Sequence, residues 1–532
     1  CGFNGEGGHK FTNITSNIDV LGSTCDVGGL FGIAHYGNKF ENCVCTGNVE
    51  IYNAEEAAEA QQIGGIAGVW HNQTDYTVEF TNCSFTGTLK SNIEGVEFYY
   101  DGLVGKPYDA KGTGKLIIND ANGQRVIEGG FEYNAASKVA KIYDADGLKR
   151  FANMVSLDKS FAGESVVLVA DIDLGGEEWK PIGMGGKHFE GTFDGQGHTI
   201  KGLKVTARNS GAQAALFCSA AGNAQFKNFT IDEAYIKYPA DSNDYYAAAV
   251  VGTIYGNIKF ENITVKNSTI TGNNKVGAIF AHDGSSTQIT INNCHAEKCY
   301  IASEDVNDGG CVGGLVGYFA TGTAGKPNTI SNSSVKNSTI VGINSTNSGK
   351  RANSEFIGCI LTKETTELNI VDCVVAGNNF SQTIDGVNPV TYEGAFPSQF
   401  IGGDRAEKLL GNITINGTRV EAKKYIYFKA SHWEVDGARF EAYLWGGTPD
   451  IAWISLTSIG DNIFRGELPD GYDYGCNIIF CRMNPAGATG NWNSKWNQTA
   501  NLTVPTNGNN LFTVTNNAWD NATGTWSKYP AN

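Results

Sequence analysis

Methionine and proline are scarce in this 532-residue chain, at 3 and 11 residues. Glycine, at 68, is well above its usual share, and Asn and β-branched residues abound, so strands and tight turns are favoured over helices. Basic residues are also in the minority: 39 Lys and Arg face 55 Asp and Glu, a formal net charge of −16. That balance leaves no basic footprint for nucleic acid or anionic lipid, and polyanionic partners are excluded. No apolar run approaches the ~20 residues that cross a bilayer, and no basic-then-apolar leader opens the sequence. Either the protein is soluble or its targeting and anchoring parts lie outside this stretch. The 13 cysteines include no C-x-x-C pair, so a zinc site is not indicated.

What is present is a repeat. Lys259–Ile270, KFENITVKNSTI, sets out a grammar of a large apolar residue, any residue, Asn and a second apolar run. It recurs at Lys10–Val20, Lys39–Val49, Glu79–Leu89 and Gln225–Ile236, and more weakly at Ile291–Cys294, Ile330–Ser334 and Ile370–Cys373. A unit returning roughly every 30 to 40 residues marks a repeat architecture, read here as one coil of a parallel β-solenoid. The Asn suits a turn at positive φ whose side-chain amides stack from coil to coil. Cys43, Cys83, Cys294 and Cys373 follow the Asn or Asp directly, so a buried ladder of small thiols is expected; the disulfide alternative favours Cys294 with Cys299 and Cys476 with Cys481. Cys1 is read as the truncated tail of a coil. Asn-x-Ser/Thr sites such as Asn13, Asn228, Asn262 and Asn332 occupy the repeat's own Asn position, so the ladder accounts for their density without glycosylation.

A second signature alternates with the first: VGGLFG at Val27–Gly32, IGGIAG at Ile63–Gly68, VGAIFA at Val276–Ala281 and VGGLVG at Val312–Gly317. Paired glycines let neighbouring backbones approach closely while the apolar residues fill a narrow interior. On these hexamers the chain resembles the GLUG-motif proteins, over most of the first 400 residues. That resemblance implies right-handed β-helix coils in a bacterial protein that is secreted or displayed at the cell surface, and it implies no particular activity.

The rhythm breaks between about 106 and 134. Asn122–Gly123 signals a hairpin, and Asp144–Val155 carries Leu148, Phe151, Ala152 and Val155 at helical spacing, a helix placed to cap an open solenoid end. Ser165–Gly183 and Phe189–Val205 are similar to the opening coils of GLUG-type and pectate-lyase-like helices. The expected fold is therefore all-β: a right-handed parallel β-helix in two consecutive segments, 1–136 and 137–415, followed by a C-terminal β-sandwich over 420–532.

Asp171, Asp173, Asp194 and His198 raise the question of catalysis, because paired carboxylates on a β-helix face cleave sugars in many enzymes of that shape. DGQGHTI also reads as a plain turn, and the clustered Asp, G-H-G and basic-plus-calcium elements of the known β-helix enzymes are missing. No catalytic residue and no cofactor or metal is assigned; calcium stays open through the DGYDYG turn at Asp470–Gly475.

Seven of the nine tryptophans fall between Trp433 and Trp526, which marks a separate module. Its short alternating strands read as a sandwich of about a hundred residues. A flat ring stacks on the C–H face of a pyranose while amides take its hydroxyls. The ligand-binding candidates are Trp433, Tyr443, Trp445, Trp492, Trp496, Asn497 and Gln498, centred on the loop GNWNSKWNQT at Gly490–Thr499. Core packing is the competing reading for Trp492 and Trp496, and Trp453, flanked by Ile451 and Ile454, is read as core. The module resembles C-terminal modules of secreted bacterial amylases and surface proteins and, more loosely, starch-binding carbohydrate-binding modules. The resemblance implies an α-glucan or other surface glycan as partner. Three functions remain: a noncatalytic spacer that displays a glycan-binding module, a β-helix polysaccharide lyase or hydrolase with an appended module, and an adhesin or fibre that binds no glycan.

Overall fold

The computed structural model describes residues 7–529 except 24–25, 53–61, 74, 93–97, 109–111, 207–212, 238–245, 305–309, 321–324, 345–352, 362–364, 385–387, 390–398, 405–411 and 421–423. Cys1 lies outside the described residues. The chain divides into two compact units, Cys1–Gly394 with Ser398–Val420, and Glu421–Asn532 with Ala395–Pro397.

The first unit is built from stacked parallel coils whose register follows the repeat. Phe11, Phe40, Phe80 and Ile118 pair in one column, and Phe193, Phe226, Phe260, Ile291, Ile330 and Ile370 in another. Phe40 and Phe80 stack at 4.5 Å between centroids, and Phe226 and Phe260 at 5.3 Å. All four are fully buried. Burying each contributes roughly 1.5–3 kcal/mol, and each offset stack about 0.5–1.5 kcal/mol more.

The Asn that follows turns each coil. Asn13, Asn42, Asn82, Asn228, Asn262, Asn293 and Asn332 lie at φ between 51° and 59°, with Asp372 at 51°. Among residues other than Gly, Asn and Asp tolerate this left-handed conformation best. Their amides also link coils: Asn228 donates to Asp194 (3.0 Å), Asn262 to Asn228 (2.8 Å) and Asn293 to Asn262 (2.9 Å). A second corner repeats the conformation at Glu233, Asn267, Lys298 and Asn337.

The glycine hexamers make the third bend. In VGGLVG a Cβ on Gly313 would lie 2.1 Å from the Val316 carbonyl oxygen and 2.4 Å from the Gly358 nitrogen of the next coil. A Cβ on Gly28 would meet the Phe31 carbonyl at 1.9 Å and the Gly68 nitrogen at 2.6 Å. Here the chain doubles back on itself while lying against its own copy, and no side chain fits.

Between the two sets of coils an antiparallel insert, Lys115–Asp120, Gly123–Glu128, Phe131–Asn134 and Val139–Ile142, keeps the sheet continuous. Its first strand pairs in parallel with Thr77–Thr81 and its last with Ser165–Leu168. The seam expected at 136/137 thus falls inside one sheet of one compact unit. The hairpin's two-residue turn is Ala121–Asn122, one position ahead of the Asn-Gly signal, with Gly123 at φ 102° opening the returning strand. The helix forms at Ala145–Ser156, and Asp144 caps it by accepting from the Gly147 N–H at 2.8 Å. Its buried face carries Leu148, Phe151, Ala152 and Val155, and the Phe151 ring packs against Phe161, Phe189, Phe193 and Phe217 of the second coil set.

The thiols stack as columns mixed with other small residues. The Cys43 N–H points at the Cys83 sulfur (3.4 Å), and the Cys294 N–H at the Ser333 hydroxyl (3.0 Å). Burial pushes the Cys83 and Cys294 thiols up to about 12 and Cys299 up to about 11, so they stay protonated and inert. The expected disulfides are corrected: Cys294, Cys299, Cys476 and Cys481 are free, and the bond joins Cys311 to Cys359. Cys294 and Cys299 each follow a different corner, while Cys476 packs in the core below its strand and Cys481 on the opposite face. A five-residue offset along a strand reverses the face, so that pair cannot meet.

In the second unit the strands run in the order Lys495–Gln498, Asn477–Met483, Arg439–Trp445, Ile451–Ser458, Ile463–Glu467, Tyr425–Lys429, Leu511–Val514 and Gly524–Ser527, with Leu502–Thr503 also on Asn477–Met483. Ile451–Ser458 pairs with Arg439–Trp445 through its first part and with Ile463–Glu467 through its last two residues, so it joins the two halves of the sheet. Phe428, Trp433, Phe440, Leu444, Phe480 and Phe512 form the buried centre.

Asn262→Ala should cost about 2 kcal/mol, from the left-handed backbone and two solvent-exposed amide bonds. Asn262→Gly should cost about half as much because only the amides go; equal urea-midpoint losses for the two would contradict the conformational role. A pH dependence is expected in the first coils, where the buried His35 and His71 rings stack at 4.3 Å. Burial, and then the charge of His35, hold His71 down at about 4, and burial lowers His35. The unfolded chain takes up these protons near 6.5 and the folded chain does not, so stability is full above pH 6.5 and drains away as pH falls toward 4. Hydrogen exchange at Ala67–Trp70, corrected for intrinsic rates, should accelerate over that window, and His71→Phe should flatten the response.

Candidate functional site

Strand alternation in the second unit sets an aromatic patch on the outward sheet face. In Arg439–Trp445 the side chains of Phe440, Ala442 and Leu444 enter the core, which leaves Arg439, Glu441, Tyr443 and Trp445 on the other face. In Ile451–Ser458, Leu456 is buried in that core with Ala452 and Ile454 packed against it, so Ile451 and Trp453 point outward. Tyr443 and Trp453 are direct cross-strand partners, with rings 5.1 Å apart. Trp492 closes the group, 4.8 Å from both rings, and Trp445 flanks it 5.8 Å from Tyr443. Ile479, Cys481 and Met483 form the floor.

A buried ion pair positions the loop that carries Trp492. Glu441, 1% exposed at its side chain, pairs with Arg439 and accepts from the Gly490 N–H at 3.0 Å. Arg439 donates to the carbonyls of Asn484 (3.2 Å), Gly487 (3.0 Å) and Ala488 (2.9 Å). Gly490, at φ 62°, lies against the Trp453 ring, where a Cβ would meet Trp453 Cγ at 3.5 Å. Beyond the loop, Lys495 reaches over Trp492 at 5.2 Å and donates to the Gln498 side-chain oxygen.

The residues singled out from sequence divide into three places. Tyr443, Trp445, Trp492 and Gln498 share the outward face. Trp496, 40% exposed, covers the buried Arg482 guanidinium at 4.7 Å, with Trp519 on that group at 5.3 Å. Asn497 accepts from the same Arg482 (3.4 Å), so Trp496 and Asn497 belong to this second cluster rather than to the patch. Trp433 is corrected to core: it is fully buried, its Nε1 donates to the Ala518 carbonyl (3.2 Å), and its own carbonyl accepts from Arg482 Nε (2.8 Å). Trp453 is corrected in the opposite sense. It shares its face with Ile451, 52% exposed, and the exposed Ser455, whereas Ile454, one residue on, packs against the core. Lys495, Arg482 and Glu441 were not singled out, since single charges in a strand pattern announce nothing.

The four candidates from the coil region also separate. Asp173 accepts from the Gly175 N–H (2.8 Å) within its turn, and Asp194 accepts from the Gln196 N–H and the Asn228 amide beside Lys227. Asp171 and His198 sit together at 3.1 Å on the rim of a cleft. In the DGYDYG turn, Asp473 is paired with Lys424 at 2.7 Å and caps Tyr474 N–H at 2.7 Å; the Lys424 ammonium holds its carboxyl below the usual range. Among the described residues no group of three or more His, Cys, Asp or Glu side chains is placed to hold a metal ion. No helix among them is long and apolar enough to cross a membrane.

The protein is thus an all-β repeat protein of stacked parallel coils with an aromatic-faced second unit. No protein-family profile matches the chain. A 149-residue stretch is 33% identical to Halomucin of Haloquadratum walsbyi, covering 26% of this chain and 2% of that protein. The chain therefore spans a small fraction of that relative's length. A crystal structure of a candidate immunoglobulin A1 protease from Bacteroides ovatus aligns with a TM-score of 0.33 and 17% identity, covering 53% of this chain and 78% of that one. A score of that size carries no inference about fold or activity.

Glu441→Ala would strand Arg439 and free the loop from Asn484 to Gly490. A loss of about 3 kcal/mol is expected for the second unit, with faster hydrogen exchange at Gly490; an unchanged unfolding midpoint would remove the ion pair from this role.

Proposed function

We propose that this is a noncatalytic extracellular or cell-surface protein in which the stacked coils act as a rigid spacer and the C-terminal unit, a β-sandwich, binds a glycan. The observation that carries this reading is the ring group on an outward sheet face, with Trp492 41% exposed over the partly buried Tyr443 and Trp453 and with Lys495 and Gln498 beside it. Three large rings held at 4.8 to 5.1 Å expose apolar area that a core would normally cover. The apolar face of a pyranose would fit such a surface, with Lys495 and Gln498 beside it as polar partners for hydroxyl groups. The likeness to Halomucin and the GLUG-type hexamers support a surface setting, and the GLUG resemblance is what suggests a bacterium. An α-glucan such as starch is the first ligand to test, because the C-terminal resemblance points there.

The competing catalytic reading, a β-helix lyase or hydrolase, draws on the Asp171–His198 pair. Of its four carboxylate and imidazole candidates, Asp194 is already engaged by the turn, the ladder and Lys227, and Asp173 caps the Gly175 N–H of its own turn. An adhesin or fibre without glycan binding would leave the patch to a protein partner.

In affinity electrophoresis through gels containing amylopectin or other neutral polysaccharides, the chain should be retarded. Trp492→Ala and Trp453→Ala should each weaken retention about tenfold, near 1.4 kcal/mol. Trp496→Ala should change it little, since that ring covers Arg482 in the other cluster. Retention by no polysaccharide, or retention indifferent to Trp492 and Trp453, would sink the site. Release of reducing ends or unsaturated products would sink the noncatalytic part.

A further inference from the structure

A cleft of about 430 Å³ opens in the first unit beside the antiparallel insert, lined by Phe98, Tyr99, Tyr143, Val169, Ala170, Asp171 and His198. We infer that it is a binding site for a single neutral hydroxylated ring, such as a terminal pyranose unit of a glycan.

Its apolar side is aromatic. Tyr99 and Tyr143 form a wall with ring centroids 5.2 Å apart, both nearly buried, and Phe98 stands beside them 49% exposed. The wall is fixed from behind. The Tyr143 hydroxyl donates to Glu132 Oε2 at 2.7 Å, and Glu132, 2% exposed, lies 3.6 Å from both Arg125 and Lys141. With that hydroxyl engaged, Tyr143 offers the cleft carbon surface rather than a polar group. Phe98 keeps half its surface open, as a stacking surface requires.

The polar side is a matched pair. One oxygen of Asp171, Oδ1, accepts from the Thr199 N–H at 2.8 Å and faces His198 Nδ1 at 3.1 Å. A carboxylate oxygen in that position fixes the proton on Nδ1, which leaves Nε2 with its lone pair. Asp171 Oδ2 and His198 Nε2 then have no partner among the described residues, and the Asp171 side chain is 73% exposed. Asp171 Oδ2 and His198 Nε2 thus offer two acceptors, at opposite ends of the pair, to hydroxyls on a ring whose apolar face meets Phe98 and the tyrosines. An organic cation fits less well. It would share the carboxylate with His198, and only one of the three rings presents an open face, where cation sites surround the charge.

This site does not depend on the aromatic patch of the second unit, and the two are tested apart. In the full chain carrying Trp492→Ala and Trp453→Ala, saturation-transfer NMR is run with the methyl α- and β-pyranosides of glucose, galactose, mannose and N-acetylglucosamine. At least one should receive saturation. Its affinity should drop tenfold or more in Phe98→Ala, which removes only the exposed ring, and in Asp171→Asn. The latter keeps the oxygen that caps Thr199 and replaces the free acceptor with a donor. Circular dichroism and the thermal midpoint of both variants should match the parent. Saturation of no pyranoside, or saturation that neither substitution changes, overturns the proposal, as does binding of tetramethylammonium in place of every pyranoside. If the unsubstituted chain is not retained on polysaccharide gels while the doubly substituted chain still binds a pyranoside, the C-terminal patch alone fails.

Discussion

The corner asparagine is the constraint on which the coil stack depends. At φ near 55° it turns the chain where most side chains would strain, and its amide reaches the equivalent residue of the neighbouring coil. One residue thus fixes both the bend within a coil and the spacing between coils. The buried Phe and Ile columns supply most of the driving force, but hydrophobic burial is non-directional. Without the corner, the same apolar residues could slide by one position, and every side chain would change face.

The corner also explains where function is not found. Because the Asn amides and the hydroxyls and thiols behind them are spent on one another, the exposed ladder offers few free groups to a ligand. Free polar groups occur where the repeat is interrupted. Asp171 and His198 stand beside the antiparallel insert, and their unspent atoms contrast with Asp194, whose oxygens serve the turn, the ladder and Lys227. In the second unit the outward rings likewise appear where a loop, pinned by Glu441 and Arg439, adds Trp492 to a sheet face that two strands had already made aromatic.

A protein with this layout separates shape from recognition. A stack in which each coil contacts only its neighbours tolerates surface variation, because the register is carried by backbone and corner side chains. Two candidate sites, each combining aromatic surface with a few polar atoms, would then share one partner class without sharing a fold. The acidic balance of the chain fits neutral partners better than polyanions.

Much of the architecture was legible because its signals are periodic and local. The Phe-x-Asn corners, the glycine hexamers, the single amphipathic helix and the aromatic-rich end each announce themselves within a dozen residues. Contacts between distant residues were less so. Trp433 reads like any other tryptophan of the module, yet a short turn swings it inward to the Ala518 carbonyl; Trp453 sits between isoleucines, yet faces out. Trp492 and Trp496, four residues apart, end in different clusters because a bulge opposite Arg482 and Met483 and the Glu441-held loop intervene. The Cys311–Cys359 bond likewise joins residues 48 apart that only the coil stacking brings together. The sequence by itself determined the coil, its corner and its parallel stacking, since these need only the conformational preference of Asn, the size of Gly and the alternation of apolar residues. Which rings face solvent, which cysteines meet and which Asp pairs with a His were decided by tertiary structure, because each depends on a partner that no local pattern specifies.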